Sequence, residues 1–177
     1  MAHDSTDRVT NKRKAPAERR LALEIRSWQL GYAVLESDAL LDWGTCRFPP
    51  GEPGSAVRRI GFLVRTYAPA LVVARTPRRA KDASSRYAAR VLRKIRNDLE
   101  RQLIRFALVT REAVRDYFAG LGCGNKHEIA AAIAEHIPQL RARVPHVRKP
   151  WDPEEAIVAV FDGIATSMAL GNDTHMK

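Results

Sequence analysis

The hydrophobic period first changes at Pro49-Pro50-Gly51-Glu52-Pro53-Gly54, and this change limits the fold more than any other feature. Before it, apolar residues alternate. Leu21, Leu23 and Ile25 share one face of a strand, while Ala22, Glu24 and Arg26 share the other. Ser27-Trp28-Gln29 reads as a turn, Leu30 to Glu36 as a second strand and, after a break at Ser37-Asp38, Leu40 to Phe48 as a third. Beyond the proline-glycine loop, Val57, Ile60, Gly61, Val64 and Tyr67 recur at helical spacing until Pro69. Ala70 to Ala74 is a short continuous apolar run, the pattern of a buried parallel strand. A long helix is predicted from about Ser84 to Ile104, a strand over Phe106 to Val109 and a short helix over Arg111 to Ala119. Asn125 and Glu128 form a capping-box pattern for a helix that ends at Pro138. Arg141 to Pro150 reads as a basic loop, and Asp152-Pro153 as the cap and first residue of a last helix. A meander followed by alternating helices and strands predicts an α/β domain. Its sheet is mixed and five-stranded, with the third strand at the antiparallel edge and helices on both faces.

The last helix is apolar on nearly every side from Glu155 to Leu170, which marks it as buried, yet Asp162 sits in its middle. A buried carboxylate needs a cation, a metal or several donors, or it loses its charge. Asp162 is therefore either a functional group or one half of a structural ion pair with an arginine.

The chain of 177 residues suits one domain, expected over residues 20–171, with a basic tail at 1–19 and a short tail at 172–177. Its 30 Lys and Arg against 20 Asp and Glu leave a formal charge of +10, which points to a polyanionic partner, nucleic acid before anionic membrane. No stretch approaches the ~20 charge-free apolar residues of a membrane span. The first twenty residues lack an apolar signal core, which points to the cytoplasm. Cys46 and Cys123 make no disulfide framework, and Cys123 with His127 offers two zinc ligands without two more.

Leu23-Glu24-Ile25-Arg26-Ser27 followed by Leu30-Gly31-Tyr32-Ala33-Val34-Leu35-Glu36 resembles the opening strands of RuvC-type Holliday junction resolvases, of the RNase H-like superfamily. Ala113-Val114-Arg115, the glycine loop and Lys126 resemble the segment leading to that family's conserved helix, and Phe161-Asp162-Gly163-Ile164-Ala165 its closing motif. The similarity spans roughly residues 21 to 170, and ribosomal-RNA maturation nucleases of YqgF type share the fold. The resemblance implies an endonuclease acting on branched DNA in recombination and repair. Such enzymes hold two divalent ions with four acids, because magnesium takes oxygen ligands and a pair of ions can activate a water and stabilise the leaving oxygen. Carried onto this chain, the catalytic and metal-binding candidates are Glu24 and Asp162, with Lys126 near the scissile phosphate. The chain departs from the pattern where the other two acids would stand. The strand-four position falls at Ala74 or Arg75, and the position one turn before Asp162 is Ala159. Glu155 lies on the face of Asp162 but two turns away. Two carboxylates imply at most one weakly held Mg2+ or none, with Arg75 able to pair with Glu24 or Asp162 in its place.

The basic residues gather after strand four: Arg75, Arg78, Arg79, Lys81, Arg86, Arg90, Arg93, Lys94 and Arg96. The carboxyl ends of strands form the ligand crevice of open α/β sheets. Like charges at helical spacing repel one another, so that face gains from an anion, although a solvated helix face is the plainer account. Arg141, Arg143, Arg148 and Lys149 form a second cluster. Gly120 to Lys126 is a glycine loop entering a helix, suited to a phosphate, and Trp28 beside Glu24 is a candidate for stacking on a base. The reading is a RuvC-like protein that binds branched or structured DNA, with metal-dependent cleavage in doubt. The alternatives are an inactive DNA- or RNA-binding module or a relative of the ribosomal-RNA nucleases. A homodimer stays open.

Overall fold

In the computed structural model, residues 18–37, 39–49, 51–77, 82–147, 149, 151 and 153–173 are described. The alternating N-terminal segments form β1 (Arg19–Ile25), β2 (Gln29–Glu36) and β3 (Ala39–Arg47), paired as the expected antiparallel meander. The apolar run becomes β4 (Leu71–Arg75), which lies parallel to β1, and β5 (Arg105–Val109) lies parallel to β4. The sheet order is β3-β2-β1-β4-β5, so β3 is the antiparallel edge strand.

Alternation along β1 divides the sheet into two apolar layers. Leu21 and Leu23, with Leu30, Tyr32, Val34, Val72 and Ala74, pack under α1 (Pro53–Tyr67) and α2 (Ala83–Arg101). Ala22, Ala33, Leu35, Val73 and Val109 face the other way, under α3 (Arg111–Gly120), α4 (Lys126–His136) and α5 (Val158–Asp173). Local chemistry sets most of the helix starts. Asp82, Thr110 and Asn125 each accept a hydrogen bond from a backbone N–H three residues on. Glu128 reaches back as the capping-box pattern implies, but one residue further, accepting from Gly124 N and from Asn125 Nδ2, each at 2.6 Å.

Four boundaries differ from the sequence reading. β1 begins at Arg19, inside the expected tail, because Arg19 pairs in register with Glu36 and its side chain reaches Glu36 Oε1 at 2.8 Å. The basic loop expected from Arg141 starts as a 3₁₀-helix, Pro138–Arg143. α5 runs to Asp173, past the expected domain end. It also begins at Val158 and not at Pro153. Tertiary bonds hold residues 153–157 away from helix: Gln29 Nε2 donates to Ala156 O at 2.7 Å, and His146 N donates to Glu155 Oε1 at 3.0 Å. Glu155 consequently sits outside the helix, beside His146. The expected cap Asp152 lies outside the described residues, as do Lys81, Arg148 and nearly all of the N-terminal tail.

α5 lies close on the sheet at two glycines. A Cβ at Gly31 would fall 2.4 Å from the backbone of Ala159, and one at Gly163 would touch the β1 backbone near Glu24 at 3.6 Å. Gly31 is also the β-sheet partner of Glu24. The absence of a side chain at Gly31 therefore lets α5 approach beside Glu24, and the same approach brings in Asp162.

Candidate functional site

The carboxyl ends of β1 and β4 open into a cleft of about 500 Å³. Glu24 and Arg75 stand side by side there. The β1–β4 register pairs Leu23 with Ala74, and the next residue of each strand points into the α3–α5 layer. Ala74 itself packs in the opposite layer, so of the two strand-four candidates only Arg75 faces the acids. Ala159 is fully buried against Gly31, which leaves no room for a carboxylate one turn before Asp162.

Glu24 and Asp162 come together as the sequence implies, but through cations. Arg75 Nη2 is ion-paired with Glu24 Oε1 and lies 3.6 Å from Asp162 Oδ2. Arg26 Nη2 donates to Asp162 Oδ2 at 2.9 Å, its Nη1 reaches Glu154 Oε2 at 2.5 Å, and its Nε lies 3.8 Å from Glu24. Lys126 Nζ, from the first turn of α4, donates to Glu154 Oε1 at 2.8 Å and to Asp162 Oδ2 at 3.3 Å. Three acids thus alternate with three cations. The inner four side chains are 6–16% exposed, whereas Lys126 is 55% exposed. Burial pushes the Glu24 carboxyl up. The charge of Arg75 opposes that rise and the charge of Asp162 adds to it. Burial also works against the ionised form of Glu154, but its bonds from Lys126 and the charge of Arg26 leave it below the usual carboxylate range. Burial likewise disfavours the Arg26 cation, and the surrounding carboxylates, Asp162 first, more than offset it.

These residues do not fit the divalent ions that the resemblance implies. Every carboxylate in the centre already has a fixed cation within ion-pair distance. A doubly charged ion ~4 Å from one guanidinium would meet a repulsion of roughly 8 kcal/mol at an effective dielectric of 20. Among the described residues no group of three or more His, Cys, Asp and Glu is arranged to hold a metal. His127 Nδ1 lies 2.9 Å from Pro145 O.

Trp28 is 40% exposed at the cleft wall, with Arg47 5.7 Å from its ring centre. Arg111, at the start of α3, also lines the cleft, as do Asp82, Ser85 and Ala88 of the α2 entrance. Arg86, Arg90, Arg93, Lys94 and Arg96 are exposed on α2, opposite its buried Tyr87-Val91-Ile95-Leu99 face. Arg78 and Arg79 lie outside the described residues. The glycine loop turns at Gly122, whose φ of +81° suits glycine. The amides of Gly124 and Glu128 are taken up by the cap, so two of the donors expected to meet a phosphate are already used.

Sequence reasoning missed Arg26 and Glu154 as members of the centre. Arg26 had a signal, since it follows Glu24 by two residues on the same face. Glu154 had none. A helix from Pro153 would carry it in the first turn, and only the bonds of the 153–157 segment bring it to Arg26 and Lys126.

The fold is RuvC-like. Thermus thermophilus RuvC in complex with Holliday junction substrate superposes with a TM-score of 0.67 at 14% identity, over 90% of this chain and 96% of that one. A second Thermus thermophilus RuvC structure gives 0.65 at 14% identity, over 89% and 96%. The yeast mitochondrial Holliday junction resolvase Ydc2 gives 0.63 at 9% identity, over 87% and 78%. No protein-family model and no curated protein sequence matches the chain.

Proposed function

We propose that this RuvC-like chain binds branched or structured DNA at the carboxyl-end cleft of its sheet, and does so without two-ion hydrolysis. The observation that carries the reading is the meeting of three features at one cleft. Lys126 and Arg111 line it beside the ion-paired centre, Trp28 forms its wall, and the first turn of α2, the helix that carries the exposed arginines, borders it. Lys126 is the cation of the centre most open to a phosphate. Arg86, Arg90, Arg93 and Lys94 extend the positive track over about 12 Å of helix at ~1.5 Å per residue. Trp28 would take an unstacked base, which a junction offers and an intact duplex does not. Structural likeness to proteins named as RuvC and as a Holliday junction resolvase supports the DNA class. The interleaved arginines favour binding over cleavage, because the charge a metal would supply is already present.

Fluorescence anisotropy with a labelled four-way junction, a linear DNA duplex and an RNA duplex of equal length tests this reading. The expected order of affinity puts the junction first, with a steep loss as salt rises. Equal affinity for junction and duplex would remove the branched-DNA reading, and a preference for RNA would favour the ribosomal-RNA relatives.

A further inference from the structure

We infer that Arg75 and Arg26 are built-in cations that hold the acidic centre together in place of divalent ions, and that reversing the charge at position 75 turns the centre into a site for a hard divalent cation. The inference rests on the geometry of the ion-paired centre and holds whether or not the chain binds nucleic acid.

Three carboxylates converge at the end of β1: Glu24 from the strand, Asp162 from α5 and Glu154 from the preceding segment. Their backbones are fixed independently of the arginines. Glu24 belongs to the β1–β2 ladder, Asp162 to a helix seated on Gly31, and Glu154 to a segment tied by Gln29 and His146. Position 75 is equally fixed, because β4 pairs through Arg75 with Val109 and Thr76 N donates to Val109 O at 2.8 Å. A glutamate at 75 would therefore still project beside Glu24. It would add a fourth carboxylate and remove the guanidinium that contacts both Glu24 and Asp162. The six-group centre would change from three acids and three cations to four acids and two cations. Repulsion among four clustered carboxylates is what a divalent ion with oxygen ligands relieves. Arg26 and Lys126 would remain, so the new site would be of modest affinity.

The test uses the full chain, with no nucleic acid present. Melting temperatures of wild type, Arg75→Gln and Arg75→Glu are measured in EDTA and in about 10 mM MgCl2 or MnCl2, with calorimetric titration of MnCl2 beside them; an ion that binds only the folded state raises the Tm. Wild type is expected to show no metal-dependent shift and no saturable binding. Arg75→Glu should melt several degrees lower than wild type in EDTA and recover with either metal, and a variant that folds only with metal present is the extreme form of that result. Arg75→Gln, which adds no acid and leaves Arg26 against all three carboxylates, is the control and should melt lower without recovering in metal. A saturable divalent site in wild type would overturn the inference, as would the absence of any metal response in Arg75→Glu.

Discussion

Asp162 is held by three cations, Arg26 at 2.9 Å, Lys126 at 3.3 Å and Arg75 at 3.6 Å, and this explains how an acid stands in an apolar helix. Removing one partner of a buried pair leaves the others uncompensated. Asp162→Asn should cost about 3 kcal/mol, the low end for such a loss because Lys126 is half exposed. The loss should be the same with and without magnesium in chemical denaturation. A gain in stability would show that Asp162 is an idle charge. A second residue-scale prediction lies on β3. Asp42 accepts from Tyr67 Oη at 2.5 Å and from Tyr32 Oη at 3.2 Å, and the first bond, with burial second, pushes the Tyr67 phenol up to about 12. A raised folded-state value means the contribution is intact below pH ~10, where the phenol of the unfolded chain ionises, and is lost as pH rises through about 12. Burial raises the Tyr32 and Tyr87 phenols as well, so absorbance titration near 295 nm should show late-ionising tyrosines, one fewer of them in Tyr67→Phe. Four members of the centre are legible in the sequence: Glu24 and Asp162 as acids in apolar runs, Arg75 at a strand end, and Lys126 by resemblance. Arg26 is visible only if strand alternation is followed one residue past the strand, and Glu154 depends on contacts between segments more than a hundred residues apart.

At the scale of elements, one close approach and one charged face carry the account. α5 can sit on β2 only because Gly31 has no side chain, since a Cβ there would fall 2.4 Å from the Ala159 backbone. Gly31→Ala should therefore destabilise by about 1–3 kcal/mol, as overpacking does. It should also lift Asp162 away from Arg26, which thermal unfolding combined with Asp162→Asn can read as non-additivity. Simple additivity would mean that the helix seat does not position the acid. α2 presents Arg90, Arg93 and Lys94 to solvent over a buried apolar face. Replacing all three with alanine should flatten the salt dependence of junction binding by about 2–3 units of log–log slope. An unchanged slope would place the phosphate track elsewhere. The capped helices and five strands are legible because their signals are local. The true start of α5 is not, since Asp152-Pro153 carries the local signs of a helix start while bonds from Gln29 and His146 draw residues 153–157 out of helix.

The whole molecule combines a RuvC-like sheet with a formal charge of +10 and an acidic centre closed by its own arginines. The fold could be read from the period change because a meander leading into alternating helices and parallel strands has few ways to close. The placement of the charges could not, since it depends on which residue of β4 faces α5 and on where the segment before α5 turns. No helix among the described residues is long and apolar enough to cross a membrane. The most direct test of the account incubates a labelled four-way junction with wild-type protein in EDTA, in MgCl2 and in MnCl2, and resolves the complex on native gels and the strands on denaturing gels. The expected result is a junction complex in all three conditions, weaker in the divalent salts as counterions compete for the phosphates, with every strand intact. Strand cleavage in magnesium or manganese that is absent in EDTA and lost in Asp162→Asn would contradict it.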